Sequence, residues 1–367
     1  MNIITIKNAI LVSILTIVFA SCKPQKNTET IDTQSQREGF LQNLADNYIT
    51  VELNAFKRKT DSLVIATNKF ATNLNLQNLA ELQSAHDRAY AQYLKIDALR
   101  NVEAIQPNVS LGFTLYQYVG VFRCKTKFVD SLININKFNP DDLNINTRGL
   151  SVTEYLLFRT DGNQDSIINK FSNAKRLNYL VKNSKYIDSL AGLSLNTWNG
   201  QKSTYAQSAS NDAGSNLSTF FNSFCQSYET SKNDKVKIPG GFTTSLDTLS
   251  IESYYAGYSK KYLKLHISTL KTIWFGNFTS SRTDGFDDIV YAQVKDSTFI
   301  KNVNTRFDNV LKAIDALPEK RFNKTIAENP AEFKAVYDAM VELTHLIKTE
   351  MYSKFGFYIT YNSNDGD

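Results

Sequence analysis

Three histidines, His86, His266 and His345, are the side chains best suited to bind a metal ion or to transfer protons near pH 7. Helical geometry places His266 on an apolar face and turns His345 away from the apolar face of its helix. No two of them have the spacing of a zinc-binding helix motif, in which two histidines lie one turn apart. We therefore expect core or surface histidines. A site built from His86, His266 and Glu154 would need contact between distant segments of the chain.

The cysteine at position 22 follows a segment that is typical of a lipoprotein signal peptide. Lys7 lies in a weakly basic start, an apolar run covers residues 9–20, and Ala20 and Ser21 are the small residues that a lipoprotein-processing peptidase requires before a cysteine. The apolar run is too short to cross a hydrocarbon core of about 30 Å. We predict a signal peptide at residues 1–21 and a lipid on Cys22. The alternative is an ordinary signal peptide that is cut nearby.

The segment that follows Cys22 is polar, and it has too few apolar residues to fold by itself. We predict a flexible tether over residues 22–36. The tether begins with Lys23 and Pro24 and lacks the acidic cluster that often follows the lipidated cysteine of surface-exposed lipoproteins in the Bacteroidota. The expected location is therefore the outer membrane, facing the periplasm. The membrane is the expected partner through the lipid, together with other envelope proteins.

The composition excludes some classes of function and leaves the state of the later cysteines open. A hydrophobic share of 42% is typical of a globular chain, and a net charge of +5 is spread over 367 residues without a dense basic stripe. Binding of nucleic acid is therefore not expected. Cys124 and Cys225 remain after processing, and an oxidising envelope would allow a disulfide between them. Two separate buried thiols are the alternative.

Apolar residues recur at steps of three and four through most of the sequence, which is the pattern of packed helices. No comparable run alternates with a period of two, so a substantial sheet is not expected. We predict an all-α fold of two packed helical bundles, at residues 37–200 and 201–367. The clearest apolar stripes run over Leu79–Leu99, Leu115–Leu132, Leu263–Trp274, Phe299–Leu317 and Phe333–Met351.

Residues that favour turns separate the predicted helices. Pro318 ends the stripe that starts at Phe299, and Asn329-Pro330 opens the next helix, where proline suits the first turn. Pro239-Gly240-Gly241 marks a loop. A longer loop at Gly276–Asp287 is rich in serine and aspartate. We expect a solvated connection there, and the alternative is a loop that borders a cleft between the bundles.

Five short segments, in order along the chain, lie at residues 82–93, 148–158, 237–241, 285–289 and 362–367. Together they resemble the imelysin family, also called imelysin-like or insulin-cleaving metallopeptidase-type proteins. The second segment aligns with the signature of that family: glycine, any residue, histidine, two residues and glutamate. Gly149 and Glu154 match the signature, whereas Ser151 replaces the histidine. The resemblance implies a two-domain, all-helical fold over nearly the whole mature chain.

The signature implies a metal site, because a histidine and a glutamate three residues apart share one helix face and can hold a divalent ion or move a proton. Ser151 is a poor zinc ligand and a weak base, and catalytic zinc usually needs about three protein ligands. Peptidase activity is therefore not expected here. We predict that Glu154 caps the start of its helix. A side chain that faces a ligand or metal, and an exposed side chain, are the alternatives.

Two other patterns have simple structural explanations. Tyr254, Tyr255, Tyr258 and Tyr262 recur at helical spacing, which favours packing in the core or at a domain interface over a cofactor site. The end of the chain, Asn364–Asp367, resembles part of a calcium loop but stops before the later ligands that such a loop needs. We therefore expect a polar tail.

The function predicted from these patterns is that of an imelysin-like envelope lipoprotein that binds a ligand or assists a partner without catalysis. His86, Tyr90 and His266 are the candidate cleft residues, and no catalytic residue or metal ligand is assigned. The resemblance alone implies a link to iron or haem uptake, and the cofactor, whether a divalent metal or haem, stays open. A metal-dependent peptidase and a structural module of an outer-membrane complex are the alternatives.

Overall fold

Fifteen α-helices form most of the described chain, and no described residue lies in a β-strand, which confirms the predicted all-α fold. The computed structural model describes residues 33–109, 112–140, 144–242, 247, 250–279 and 282–361. No described helix is both long enough and apolar enough to span a membrane. The helices are α1 (Gln34–Asn43), α2 (Thr50–Thr72), α3 (Leu76–Ile96), α4 (Thr126–Asn134), α5 (Leu150–Leu157), α6 (Gln164–Phe171), α7 (Ala174–Gln201), α8 (Asn216–Lys232), α9 (Ile238–Gly240), α10 (Ser259–Trp274), α11 (Phe286–Val294), α12 (Ser297–Ala316), α13 (Phe322–Glu328), α14 (Pro330–Thr344) and α15 (Met351–Phe355).

Two groups of helices form the most extensive contacts between elements. Helix α2 packs against both α3 and α7, and α12 packs against both α10 and α14. Contacts between α3 and α10 join the two groups, and the buried apolar side chains form one core cluster. Thr33–Asp367 is one compact unit. The division into bundles at residues 37–200 and 201–367 stays a prediction.

Helix α3 carries two of the predicted cleft residues, and its sequence explains why they face inward. Asn75 caps the helix by accepting a hydrogen bond from the backbone N–H of Asn78 at 2.8 Å. Leu79 and Leu82 are fully buried on one face, and burial of each leucine side chain contributes about 2 kcal/mol to folding. This buried face extends over the next two turns and takes His86 and Tyr90 into the interior.

The first described helix lies against the second half of the chain. Helix α1 begins at Gln34, slightly before the predicted bundle start at residue 37, and packs on α11. The Asn43 side chain donates to Thr283 Oγ1 at 2.8 Å and to the Asp284 carbonyl at 2.7 Å. The end of the predicted loop at Gly276–Asp287 is therefore packed against this helix. The signal peptide, Cys22 and most of the tether lie outside the described residues, as does the tail at 362–367.

The stripe at Leu115–Leu132 does not form one helix, so that prediction was wrong. A helical turn spans Tyr116–Gly120, the chain becomes extended at Val121 (φ −62°, ψ 115°), and α4 follows. Ser151 donates a hydrogen bond to the Val121 carbonyl at 2.7 Å. A tertiary hydrogen bond therefore replaces the next helical one, and the apolar spacing alone could not reveal the break.

The tyrosine series that was predicted to share a helix is divided by the start of α10. Residues 251–257 form irregular turns in which Ser253 (φ 54°) and Gly257 (φ 78°) are left-handed, a conformation that does not continue a right-handed helix. Helix α10 begins only at Ser259. Three of the four tyrosines therefore precede the helix, and only Tyr262 lies on it.

Candidate functional site

Gly149 places the signature segment at the start of α5. Its backbone is left-handed (φ 88°), and a Cβ atom there would lie 2.7 Å from the Val119 carbonyl oxygen, so only glycine fits without strain. Asn183 of α7 holds this turn on both sides: its Oδ1 accepts from the Gly149 N–H at 2.9 Å, and its Nδ2 donates to the Gly149 carbonyl at 2.9 Å. The conformation of this turn therefore explains why the signature has a glycine at this position.

Ser151 lies in the first turn of α5, and its side chain has a partner. It is 6% exposed and donates to the Val121 carbonyl, as described above. That bond fixes the extended segment that precedes α4. A hydroxyl used in this way holds two backbone segments together and is not free to act as a nucleophile.

Glu154 is buried in the middle of α5 and accepts hydrogen bonds from a distant turn. Its Oε1 accepts from the backbone N–H groups of Tyr255 at 2.9 Å and Ala256 at 3.2 Å. The predicted capping is thus correct in kind, because the carboxylate satisfies free backbone donors. The predicted location of the donors was wrong, because they belong to the turn before α10 and not to the first turn of α5.

The second carboxyl oxygen of Glu154, Oε2, does not take part in these hydrogen bonds. Among the described residues, Oε2 has no hydrogen bond of normal geometry. Burial raises the pKa of Glu154 to about 7, although the Ser253 hydroxyl and the two backbone amides lower it. A small cavity of about 110 Å³ adjoins the carboxyl group, lined by Phe122, Cys124, Thr126, Ser151, Ile251, Tyr254 and Tyr255.

The two later cysteines are free thiols, which decides between the alternatives that the sequence left open. Cys124 is half-buried beside the Glu154 cavity. Cys225 is buried, with its Sγ 3.5 Å from the Ile347 carbonyl. Burial raises the pKa of both thiols, so neither has the thiolate character of a reactive cysteine.

His86 lies near the signature but does not face its carboxylate. It is fully buried, and its Nε2 is 2.9 Å from the Leu150 carbonyl. Since a carbonyl only accepts, Nε2 must carry the proton. Burial lowers the pKa of His86 to about 4, although the bond to Leu150 raises it. The neutral ring therefore anchors the start of α5.

Tyr90, one turn after His86, contacts a buried glutamate from the second half of the chain. Its hydroxyl donates to Glu252 Oε1 at 3.1 Å, and its ring stacks on Tyr262 with centroids 4.5 Å apart. Lys235 forms an ion pair with the same Oε1 at 2.9 Å, and both charged side chains are at most 4% exposed. Tyr90 is thus joined to an interior ion pair.

His266 occupies the other end of this buried polar network. Its Nδ1 lies 2.7 Å from Ser231 Oγ and 3.4 Å from Lys235 Nζ, while Nε2 lies 2.8 Å from Ser227 Oγ. Asp97 Oδ2 is 3.2 Å from the same Nε2. Burial lowers the pKa of His266 to about 3, and the cation Lys235 lowers it further. His266 is therefore a neutral hydrogen-bonding centre.

Asp97 and Arg100 complete the network, which we call the interior ion network (Asp97, Arg100, Lys235, Glu252 and His266). Burial would raise the pKa of Asp97, but Arg100, His266 and Lys235 hold it below its usual range. Sequence reasoning missed the charged members. The available signal was that Asp97 lies within the apolar stripe at Leu79–Leu99 and that Arg100 directly follows it, since burial of a charge requires a partner.

A polar cleft adjoins this network where residues from both halves of the chain meet. It has a volume of about 340 Å³ and is lined by Arg100, Asn101, Thr114, Tyr116, Gln117, Gln226, Glu229, Thr230, Asn233 and Asp234. The Arg100 guanidinium lies over the Tyr116 ring at 4.2 Å. This cleft was not predicted, because its residues come from segments with no shared motif.

The predicted site residues therefore fall into two neighbouring groups. Burial and Glu252 raise the pKa of Tyr90 in the second group, and Glu154 of the first is close enough to that tyrosine to raise its pKa further. Gly149, Ser151, Glu154 and His86 surround the start of α5, whereas His266 belongs to the interior ion network, which Tyr90 joins through Glu252. His345 is exposed, with 67% of its side chain accessible. Among the described residues, no three His, Cys, Asp or Glu side chains are grouped so that they could hold a metal ion.

Comparison with known proteins gives a family and a fold. A family model described as imelysin, of the peptidase M75 type, matches residues 48–349. No curated protein matches the chain. The structure of a protein described as an iron-regulated protein A precursor from Parabacteroides distasonis ATCC 8503 is similar, with a TM-score of 0.73 and 15% identity, over 89% of this chain and 97% of that one. An imelysin-like protein from Psychrobacter arcticum 273-4 has a TM-score of 0.68 and 15% identity, over 89% and 98%.

Proposed function

This chain belongs to the imelysin family, and we propose that it is a non-catalytic binding or accessory lipoprotein of the cell envelope that works in iron or haem uptake. The observation that carries the proposal is that both polar side chains of the signature are used inside the fold. Ser151 donates to a carbonyl, and Glu154 accepts from two backbone amides. A peptidase needs such groups to face its substrate.

The link to iron is supported by a similar structure, since the protein from Parabacteroides distasonis is described as iron-regulated. A place for a ligand is supported by the polar cleft of about 340 Å³ beside Arg100, which is within the size of pockets that bind small molecules, roughly 300–1,000 Å³. The ligand would then contact the cleft and not the Glu154 carboxylate.

Titration of the mature protein with ferric citrate and with haem tests this proposal. We expect saturable binding of at least one of them with a Kd below ~0.1 mM. Gln226→Ala in the cleft should weaken binding, whereas Glu154→Gln should leave it unchanged. Absence of binding by both probes, or loss of binding in Glu154→Gln alone, would contradict the proposal.

A metal-dependent peptidase is the second candidate, favoured by the peptidase type of the matching family model. The mature protein with added zinc and an unfolded polypeptide is the direct assay. We expect no cleavage that a chelator abolishes. Chelator-sensitive cleavage that disappears in Glu154→Gln would overturn the non-catalytic proposal.

We further propose that Cys22 carries the lipid that holds the protein at the outer membrane, facing the periplasm. Anchoring through more than one acyl chain is stable, whereas a protein that carries no lipid has no comparable affinity for a membrane. Cys22→Ser should therefore move the protein from the membrane pellet to the soluble fraction, and it should abolish incorporation of labelled fatty acid. A variant that still sediments with membranes and is still labelled would contradict the lipid on Cys22.

A further inference from the structure

A third cavity shares no lining residue with the polar cleft, and it combines cations with aromatic rings. Its volume is about 200 Å³, and α5, α6 and α7 each contribute to its wall. We call it the basic pocket. Its principal lining residues are Tyr155, Phe158, Arg159, Lys170, Arg176 and Tyr255.

Arg176 is the most buried cation of the basic pocket. It is 7% exposed, and its guanidinium lies over the Tyr155 ring at 5.3 Å. The distance from Arg176 Nη1 to Asp130 Oδ1 is long, at 3.4 Å, and the Asp130 side chain is 48% exposed. The other oxygen of Asp130 accepts a hydrogen bond from the Tyr155 hydroxyl. The Nε atom of Arg176 is buried and has no hydrogen-bond partner among the described residues. A buried guanidinium nitrogen without an acceptor is costly.

The other two cations differ in their partners. Arg159 donates two hydrogen bonds to Asp161, from Nε at 2.9 Å and from Nη2 at 2.6 Å, and Asp161 is 51% exposed and does not line the pocket. Within the described part of the chain, the Lys170 ammonium forms no ion pair. Burial lowers the pKa of Lys170, and the neighbouring Arg176 and Arg159 lower it further, whereas Asp130 and Asp161 raise it. The three cations are therefore close enough to repel one another. An anion at their centre would relieve that repulsion.

Apart from Thr160, the rest of the wall consists of aromatic and aliphatic side chains. Tyr155, Phe158 and Tyr255 contribute aromatic rings, and Leu156 and Ile167 contribute aliphatic side chains. Such surfaces bind planar apolar groups, and the convergent polar groups fix the orientation of the ligand. Inorganic phosphate or sulfate would leave this apolar part of the wall unused.

We propose that the basic pocket binds a small organic acid, a carboxylate attached to a flat apolar body. The carboxylate lies against Arg176 and Lys170, since a guanidinium presents paired N–H donors that match the two oxygens of a carboxylate. The flat body lies against the aromatic rings. This site is separate from the polar cleft, and the proposal does not rest on the iron link.

Ligand-observed NMR and calorimetry with sodium benzoate as the probe test the proposal on the mature protein. Benzamide, which has the same shape without the charge, and inorganic phosphate, which has the charge without the ring, are the two comparison ligands. We expect benzoate to bind with a Kd on the order of 1 mM, as the size of the ligand permits. Benzamide and phosphate should each bind at least about tenfold more weakly.

Two variants assign the binding to the pocket. Lys170→Gln changes an exposed side chain that does not hold the fold, and it should weaken benzoate about fivefold, whereas Arg176→Gln should abolish binding. Lys185→Gln is the matched control. Lys185 is exposed on α7, the helix of Arg176, and lies roughly 13 Å from Arg176 along the helix axis. Equal binding of benzoate and benzamide, no binding of benzoate, or an unchanged Lys170→Gln would each overturn the proposal.

Discussion

Glu154→Gln should change how the stability of this protein depends on pH. Burial holds the pKa of Glu154 at about 7 in the folded state, compared with an ordinary value of 4.5. Between these pH values the folded state keeps a proton that the unfolded state has lost, so the free energy of unfolding falls as the pH rises. The difference corresponds to roughly 3 kcal/mol by pH 8. Glutamine cannot lose that proton and does not incur this loss.

Urea denaturation of both proteins at several pH values measures the effect. The free energy of unfolding of Glu154→Gln, relative to the unmodified protein, should rise by about 3 kcal/mol between pH 4.5 and pH 8. Glu103→Gln is the matched control, because Glu103 is exposed, and its difference should stay nearly constant with pH. A constant difference for Glu154→Gln as well would show that the carboxyl group ionises as it does in water.

Lys235→Met should destabilise the fold by roughly 3–5 kcal/mol, because it leaves the buried carboxylate of Glu252 without its cation. The two side chains are 4% and 3% exposed and lie 2.9 Å apart. Glu252 Oε2 has no hydrogen-bond partner among the described residues, and the Tyr90 hydroxyl that donates to Oε1 is neutral, so no cation would replace Lys235 at this carboxylate. Changing both residues, as in Lys235→Met with Glu252→Gln, should recover at least about 2 kcal/mol of that loss.

Thermal and chemical denaturation of the two single variants and the double variant form a double-mutant cycle for this pair. Lys334→Met is the control for loss of an ion pair at the surface, since Lys334 and Asp338 are both more than half exposed, and it should have little effect on stability. If Lys235→Met costs no more than this control, or if the double variant is as unstable as Lys235→Met, the two charges are not coupled in the interior.

The helices were predictable because their apolar spacing is regular. The stripe from Phe299 to Leu317 forms α12, with its apolar residues buried, and Asn329-Pro330 opens α14 as predicted. The apolar spacing did not predict the structure correctly where tertiary hydrogen bonds compete with those of a helix. Val121 lies within the segment of the predicted stripe at Leu115–Leu132, but Ser151 donates a hydrogen bond to its carbonyl, and no local pattern of residues contains that information.

The candidate site was predictable only in its residue types. The sequence singled out Gly149 and Glu154, and it indicated that Ser151 would not replace a metal-binding histidine. The acceptor role of Glu154 depends on amides about a hundred residues later, and the ion pair of Lys235 with Glu252 joins the helical turn after α8 to the turn before α10. Buried charges are placed by their partners, and partners distant in sequence become visible only in the folded chain.

The retained glutamate of the signature is a buried structural acceptor here, and one measurement tests this most directly. Crystals of the mature protein soaked in zinc, with diffraction collected at the zinc absorption edge, locate any ion that Glu154 binds. We predict no anomalous peak within about 2.5 Å of the Glu154 carboxylate, and hydrogen bonds from the backbone N–H groups of Tyr255 and Ala256 to Oε1. A zinc ion coordinated by Glu154 together with His86 or another histidine would contradict it.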